Sequence, residues 1–244
     1  IQMELCENFT LAHWIEGKSP SFPLPDLERL GVFRQVVSGV EHIHRHGIEH
    51  RDLKPSNVFL SRPDFPPGSL GTSIAEEEDR SSLGTSIAEE EDRSDSVLWK
   101  IGDFGLAAHA SNPSANVSGG GTFLYAAPEM RHSSTDVAPP AGQSETAKRR
   151  VFGACDMFSL GVILLELLQP FHTAMERART LEDLRTSGKL PESFCTKYRE
   201  EADWIRRLTA REPASRPTAR DLLASSLFQA EKEAHTEEEQ TEVV

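Results

Sequence analysis

Apolar and polar positions alternate over only a short stretch at the front of the chain. "IQMELC" (Ile1–Cys6) reads as a buried strand running into a polar connector. From Pro25 to His46 the apolar residues Leu27, Leu30, Phe33, Val37, Val40 and Ile43 recur at three- and four-residue spacing. That period predicts an amphipathic helix, and Gly47 stands where its C-terminal cap belongs. "NVFL" (Asn57–Leu60) and "VLWKI" (Val97–Ile101) read as the two strands of a hairpin. "DMFSLGVILLELL" (Asp156–Leu168) is apolar on nearly all faces, which predicts a helix at the centre of a domain. It is too short to span a bilayer and it contains Glu166. Further helices are predicted over Thr173–Thr186, Tyr198–Thr209 and Thr218–Leu227.

Two stretches break this pattern. "SLGTSIAEEEDRS" occurs at Ser69–Ser81 and again, unchanged, at Ser82–Ser94, between the two hairpin strands. A perfect direct repeat of this kind is more like a recent tandem duplication than a structural unit. With Pro63, Pro66 and Pro67 beside it, the segment of about residues 62–95 reads as a disordered loop. Ser73-x-x-Glu76 and Ser86-x-x-Glu89 are alternatively capping boxes of brief helices, or sites for an acid-directed kinase. A second polar insertion, about residues 132–149, holds Pro139, Pro140 and Gly142 and also reads as a loop.

A chain of 244 residues is long enough to bury a real core, and 37% hydrophobic with 27% charged residues fits a globular body carrying disordered stretches. The net charge of −13 is unevenly placed: residues 69–94 carry −6 and the tail 231–244 carries −5, so the remaining body is close to neutral. Nothing there suggests a nucleic-acid surface. Cys6, Cys155 and Cys195 are odd in number, widely spaced and without a CxxC. That favours a reducing, cytoplasmic setting over a disulfide framework or a zinc site. His42, His44, His46 and His50 crowd one stretch, but His42 and His46 fall on a helix's last turn, where cations suit the dipole. His44 lies off that face and His50 lies beyond the glycine.

"HRDLKPSN", "DFG" and "APE" follow one another in the chain, at Asp52, Asp103 and Glu129 respectively. In that order they resemble the signatures of the protein kinase superfamily. The resemblance implies an α+β, protein-kinase-like fold with a mostly helical C-terminal lobe, the last N-lobe strand and a small β hairpin. Residues 1–7 would be that strand and hinge, 8–229 the C-terminal lobe, and 230–244 an acidic tail. It implies ATP and Mg2+ as cofactors. Asp52 would accept the proton of the substrate hydroxyl, and Lys54 would sit by the transferred phosphate, as in serine/threonine kinases. Asn57 and Asp103 would share magnesium. Met3 would be the gatekeeper, with Glu4, Cys6 and Phe59 completing the nucleotide contacts. His50 and Phe104 would stack behind the site, Asp156 would hold the catalytic-loop backbone, and Glu129 would pair with Arg216. Arg51 resembles the arginine of kinases switched by phosphorylation between Asp103 and Glu129. Ser118 and Thr122 are the candidates there, and Thr122 is alternatively an unmodified threonine bonded to Asp52.

"IQMELCENFTLAHWI", "GVILLELLQPFHTAMERARTLEDLR" and "LTAREPASRPTARDLLAS" narrow the resemblance to the kinases of the translation initiation factor 2 α subunit. Through "LLELLQPFHTAMER" and "GKLPESF" the chain is most similar to the haem-regulated inhibitor kinases among them. That implies the α subunit as protein substrate, seated by Thr173, Met175 and Glu176, although Thr173-x-x-Glu176 is also a capping box. A homodimer, where one forms, would pair through the N-lobe. Haem control does not follow, since no Cys-Pro pair occurs. No glycine-rich phosphate loop, strand lysine or paired helical glutamate stands before "IQMELC". The 244 residues by themselves are therefore expected to bind ATP poorly and to transfer little phosphate. The alternative reading is a kinase-derived binding module that docks the same substrate or a partner kinase without catalysis.

Overall fold

Helices dominate the architecture, joined by two small antiparallel ribbons. The computed structural model describes residues 9–17, 26–61, 98–109, 124–131 and 152–228. The expected front strand, both insertions and the acidic tail lie outside the described residues. Helix α1 (Leu11–Ile15) is capped by Thr10. Helix α2 (Asp26–Arg45) buries Val32, Phe33, Val36, Val37 and Val40, a stripe somewhat wider than the heptad-like pattern required. It ends at Gly47, whose φ of +72° is a left-handed conformation that costs glycine little.

The long apolar helix α3 (Ala154–Leu168) buries every residue except Cys155. The remaining helices pack around it: α4 (Ala174–Ser187), α5 (Glu192–Lys197), α6 (Arg199–Leu208) and α7 (Ala219–Leu223). Gly161 lets α6 approach α3, since a Cβ there would lie 2.7 Å from Thr209 Cγ2 and 2.9 Å from Leu208 Cβ. Arg29 of α2 donates to the Leu167 carbonyl at 2.7 Å, tying the N-terminal part of α2 to the C-terminal end of α3. Among the described residues, no helix is long and apolar enough to cross a membrane.

The hairpin forms as β2 (Val58–Ser61) against β3 (Leu98–Ile101), with Val58 opposite Ile101 and Ser61 opposite Leu98. It lies on α2: the Trp99 amide donates to Gln35 Oε1 at 2.9 Å, and Gly39 leaves room for Ile101 Cδ1. A second, two-residue ribbon was not foreseen. It pairs β1 (Ile48–Glu49) with β4 (Ala108–His109). The chain leaves β1 for β2 through residues 50–57 and leaves β3 for β4 through residues 102–107. The two ribbons therefore hold these connecting loops against each other.

Candidate active site

The facing loops are joined by hydrogen bonds whose directions are set by one histidine. Gly102 N–H donates to the Asn57 carbonyl at 2.9 Å. His50 Nε2 donates to the Gly102 carbonyl at 2.9 Å, and the Asp52 amide donates to His50 Nδ1 at 3.3 Å. Those partners place a proton on Nε2 and the acceptor lone pair on Nδ1. The ring is fully buried and meets Phe104 at 5.0 Å between centroids. "HRD" and "DFG" are thus brought together through the backbone of Gly102.

Asp52 is orientated by its own loop. Its Oδ2 accepts from Lys54 Nζ at 2.7 Å and from Asn57 Nδ2 at 3.3 Å. Asn57 Nδ2 also donates to the Asp52 carbonyl at 2.8 Å. Among the described residues Asp52 Oδ1 accepts no bond, which leaves one carboxylate oxygen for an incoming hydroxyl. With the Asn57 amide nitrogen committed to Asp52, its Oδ1 is the atom with remaining acceptor capacity. Asp103 is exposed and adopts a left-handed conformation with φ 59° and ψ 66°. Gly105 follows with no Cβ, and one added there would lie 3.2 Å from Asp103 Oδ1. Gly102 likewise accommodates the Phe59 ring, which would meet an added Cβ at 2.9 Å. An amide oxygen and a carboxylate on adjoining loops are the hard donors that Mg2+ selects, so Asn57 and Asp103 fit that ion. Phe59 packs beneath the same glycine. Met3, Glu4 and Cys6, expected against the nucleotide base, lie outside the described residues, as do Ser118 and Thr122.

The loop is held from behind by Asp156, at the first turn of α3. Its Oδ1 accepts from Arg51 N–H at 2.8 Å, and its Oδ2 accepts from His50 N–H at 2.8 Å and pairs with His44 Nε2 at 2.8 Å. Full burial would push this carboxyl up, but the His44 bond and charge, with the two backbone donors, outweigh burial and hold it below its ordinary value. Arg51 needs this support, since its φ of 66° is strained for a residue with a side chain. Gly153, the N-cap of α3 with φ 77°, serves the same cluster: a Cβ there would lie 2.6 Å from the His44 ring.

The Glu129–Arg216 pair is bidentate, with Arg216 Nη1 donating to Oε1 at 2.5 Å and Nη2 to Oε2 at 2.9 Å. Arg216 also donates to the Ala154 and Ala210 carbonyls, each at 2.8 Å, and lies 5.1 Å from the Phe158 ring centre. At α4, Thr173 caps the helix by accepting from Glu176 N–H at 3.1 Å. The reciprocal half of the expected capping box is displaced by one residue, because the Glu176 carboxylate accepts from His172 N–H at 3.0 Å. Met175, between them, is 82% exposed.

Sequence reasoning missed Glu49. This buried acid accepts from Arg51 Nε at 3.0 Å, from Gly153 N–H at 2.7 Å and from the Cys155 thiol at 3.1 Å. Burial first, then this carboxylate, pushes the Cys155 thiol well up. His44 was also missed, because its partner is 112 positions away. Glu166 did carry a signal: a lone acid within an apolar helix must find partners.

The protein kinase domain family profile matches residues 1–228. Eukaryotic translation initiation factor 2-alpha kinase 1 of Rattus norvegicus is 38% identical over 241 residues, which cover 94% of this chain and 33% of that protein. Eukaryotic translation initiation factor 2-alpha kinase 3 of the same organism is 33% identical over 230 residues, covering 94% of this chain and 17% of its own. Eukaryotic translation initiation factor 2-alpha kinase 2 of Schizosaccharomyces pombe is 32% identical over 249 residues, covering 93% and 36%. The chain spans about a third or less of the length of these relatives.

Proposed function

Since the chain belongs to the protein kinase domain family, we propose that it carries the catalytic lobe of a serine/threonine kinase acting on the translation initiation factor 2 α subunit. The observation that carries this reading is Asp52. One of its oxygens is fixed by Lys54 and Asn57, the other accepts nothing among the described residues, and Asn57 lies across the Gly102 bond from Asp103. A non-catalytic docking module needs none of that arrangement.

On this reading Asp52 Oδ1 accepts the proton of a serine or threonine hydroxyl and aligns that oxygen for attack. General-base help of this type is worth about 10²–10⁴-fold. Lys54 supplies a positive charge beside the acceptor oxygen, where negative charge builds on the transferred group. ATP with Mg2+, when bound, supplies the phosphoryl group and part of the charge neutralisation. Asn57 and Asp103 would hold the metal, and His50 and Phe104 keep water from the back of the loop. The exposed first turn of α4, with Thr173, Met175 and Glu176, would seat the protein substrate. The motifs "LLELLQPFHTAMER" and "GKLPESF" favour the haem-regulated inhibitor branch of these kinases. Free thiols at Cys155 and Cys195 fit a cytoplasmic setting.

The test is incorporation of labelled phosphate from ATP into the purified α subunit by the native protein, with and without Mg2+. Magnesium-dependent label on a serine or threonine of the subunit is the expected result. Label on unrelated proteins but not on the subunit would overturn the substrate assignment, and no label on any protein would overturn the enzyme reading.

A further inference from the structure

Glu166 lies in the middle of α3 with its side chain 1% exposed, and the catalytic loop does not use it. A carboxylate so placed is costly unless it is paired and hydrogen-bonded. It has two partners. The Tyr125 hydroxyl donates to Oε2, and Arg177 Nε of α4 donates to Oε1. The triangle closes, because Arg177 Nη2 also donates to the Tyr125 hydroxyl oxygen at 2.6 Å and its guanidinium carbon lies 6.0 Å from the Tyr125 ring centre.

Each corner belongs to a different part of the molecule. Tyr125 stands four residues before Glu129, at the end of the segment that begins with Asp103. It is anchored to α3 twice, since Ser159 Oγ donates to its carbonyl at 2.9 Å. Ser159 and Glu166 are seven residues apart and share a helix face. Arg177 is the third corner. The buried side chains of α4 are Leu181, Leu184 and Arg185, all in its second half. Its first turn is exposed at Ala174, Met175 and Glu176, and Arg177 is the first residue of the helix to turn inward.

We infer that Arg177 is a positioning residue that sets the register between the substrate seat on α4 and the end of the segment that runs from Asp103 to Glu129, through its joint contact with Glu166 and Tyr125. This rests on the reading of α4 as the seat for the α subunit. A folded substrate must touch α4 and present its hydroxyl to Asp52 at the same time, so the distance between seat and segment becomes a determinant of which substrates fit. A short acceptor peptide, which need not reach α4, would be indifferent to it. Lysine would not replace the arginine, because a single ammonium lacks the planar fork that serves both partners. Burial pushes the Tyr125 hydroxyl up and the neighbouring carboxylate raises it further, which keeps the tyrosine protonated as a donor.

The test combines hydrogen exchange with substrate capture, on the native protein and its Arg177→Gln and Arg177→Lys variants. For Arg177→Gln, amides of residues 174–180 and of 124–127 should both exchange at least tenfold faster, while those of α6 keep their protection. Affinity for the folded α subunit should fall about tenfold, and affinity for a short acceptor peptide should not change. Faster exchange confined to 174–180, or equal loss of peptide and subunit binding, would overturn the inference. Should the glutamine variant lose protection in α6 as well, Arg177→Lys decides. Faster exchange at 124–127 with α6 intact supports the inference, and native protection at 124–127 overturns it. If the unaltered protein captures no α subunit, the substrate reading fails, while the exchange result still decides whether Arg177 couples the two segments.

Discussion

Replacing Asp156 with asparagine removes one of two acceptor oxygens from a fully buried group that serves three donors. The remaining oxygen does best at the Oδ2 position, where it keeps His44 and the His50 amide. The new NH2 then faces the Arg51 amide, donor against donor. An orphaned buried donor costs about 1–3 kcal/mol, and the two surviving bonds each weaken by about 1 kcal/mol on losing charge assistance. The expected loss is about 3–5 kcal/mol, the range of breaking a buried charged group from one side. Arg51 is held at φ 66°, so part of that loss should appear as relaxation of the loop and misplacement of Asp52. Urea unfolding of the native protein and the Asp156→Asn variant measures the difference. The pH dependence has a definite sign. The pKa of the Asp156 carboxyl is lower in the folded than in the unfolded chain, where carboxyls of this type titrate at about 3.9. Its contribution is therefore fully present above that unfolded value and is lost as pH falls through the folded one. From pH 5 downward the gap between the two proteins should hold and then narrow below about pH 4. A gap under about 1 kcal/mol at neutral pH, or one that widens in acid, would mean that an ionised Asp156 does not anchor the loop.

Three other substitutions have stated outcomes. Gly153→Ala forces a side chain into φ 77° and places its Cβ 2.6 Å from the His44 ring, so thermal unfolding should report a loss of about 2–4 kcal/mol. Glu49→Gln removes the ion partner of Arg51 and one acceptor from the start of α3. About 3–5 kcal/mol should be lost, with faster exchange at residues 50–52, and stability unchanged within error would show that the pair is dispensable. Arg216→Lys keeps a charge near Glu129 but loses the two-pronged contact and at least one of the carbonyl bonds. A loss of about 2–4 kcal/mol in denaturant titration is expected.

Helices α2 and α3 were legible because long periodic or uniformly apolar runs carry their own signal. Helix α2 ends at Arg45, one residue before the His46 expected, and Pro25, its expected start, lies outside the described residues. The last helix is shorter than its sequence pattern suggests. It stops at Leu223, where Ser225 Oγ donates to the Leu222 carbonyl at 2.6 Å, and a separate 3-10 turn covers Ser226–Phe228. The ribbon of β1 and β4 and the six-residue α5 were missed because elements so short show no period. Asp52, Lys54 and Asn57 were singled out through a motif that resembles a kinase signature, and the hydrogen bonds that join them lie inside one loop. His44, Glu49 and Arg177 could not, because each acts on a residue far along the chain or across a ribbon that only folding brings near. Glu166 was visible as an anomaly, but nothing local named its partners.

We propose that the Asp52 carboxylate, set by Lys54 and Asn57, works on a substrate hydroxyl. The most direct measurement is the rate of phosphate transfer to the α subunit by the native protein and by Asp52→Asn, at saturating ATP and Mg2+. A fall of about 10²–10⁴-fold, with binding of the subunit retained, is the expected result. Equal rates in the two proteins would contradict it.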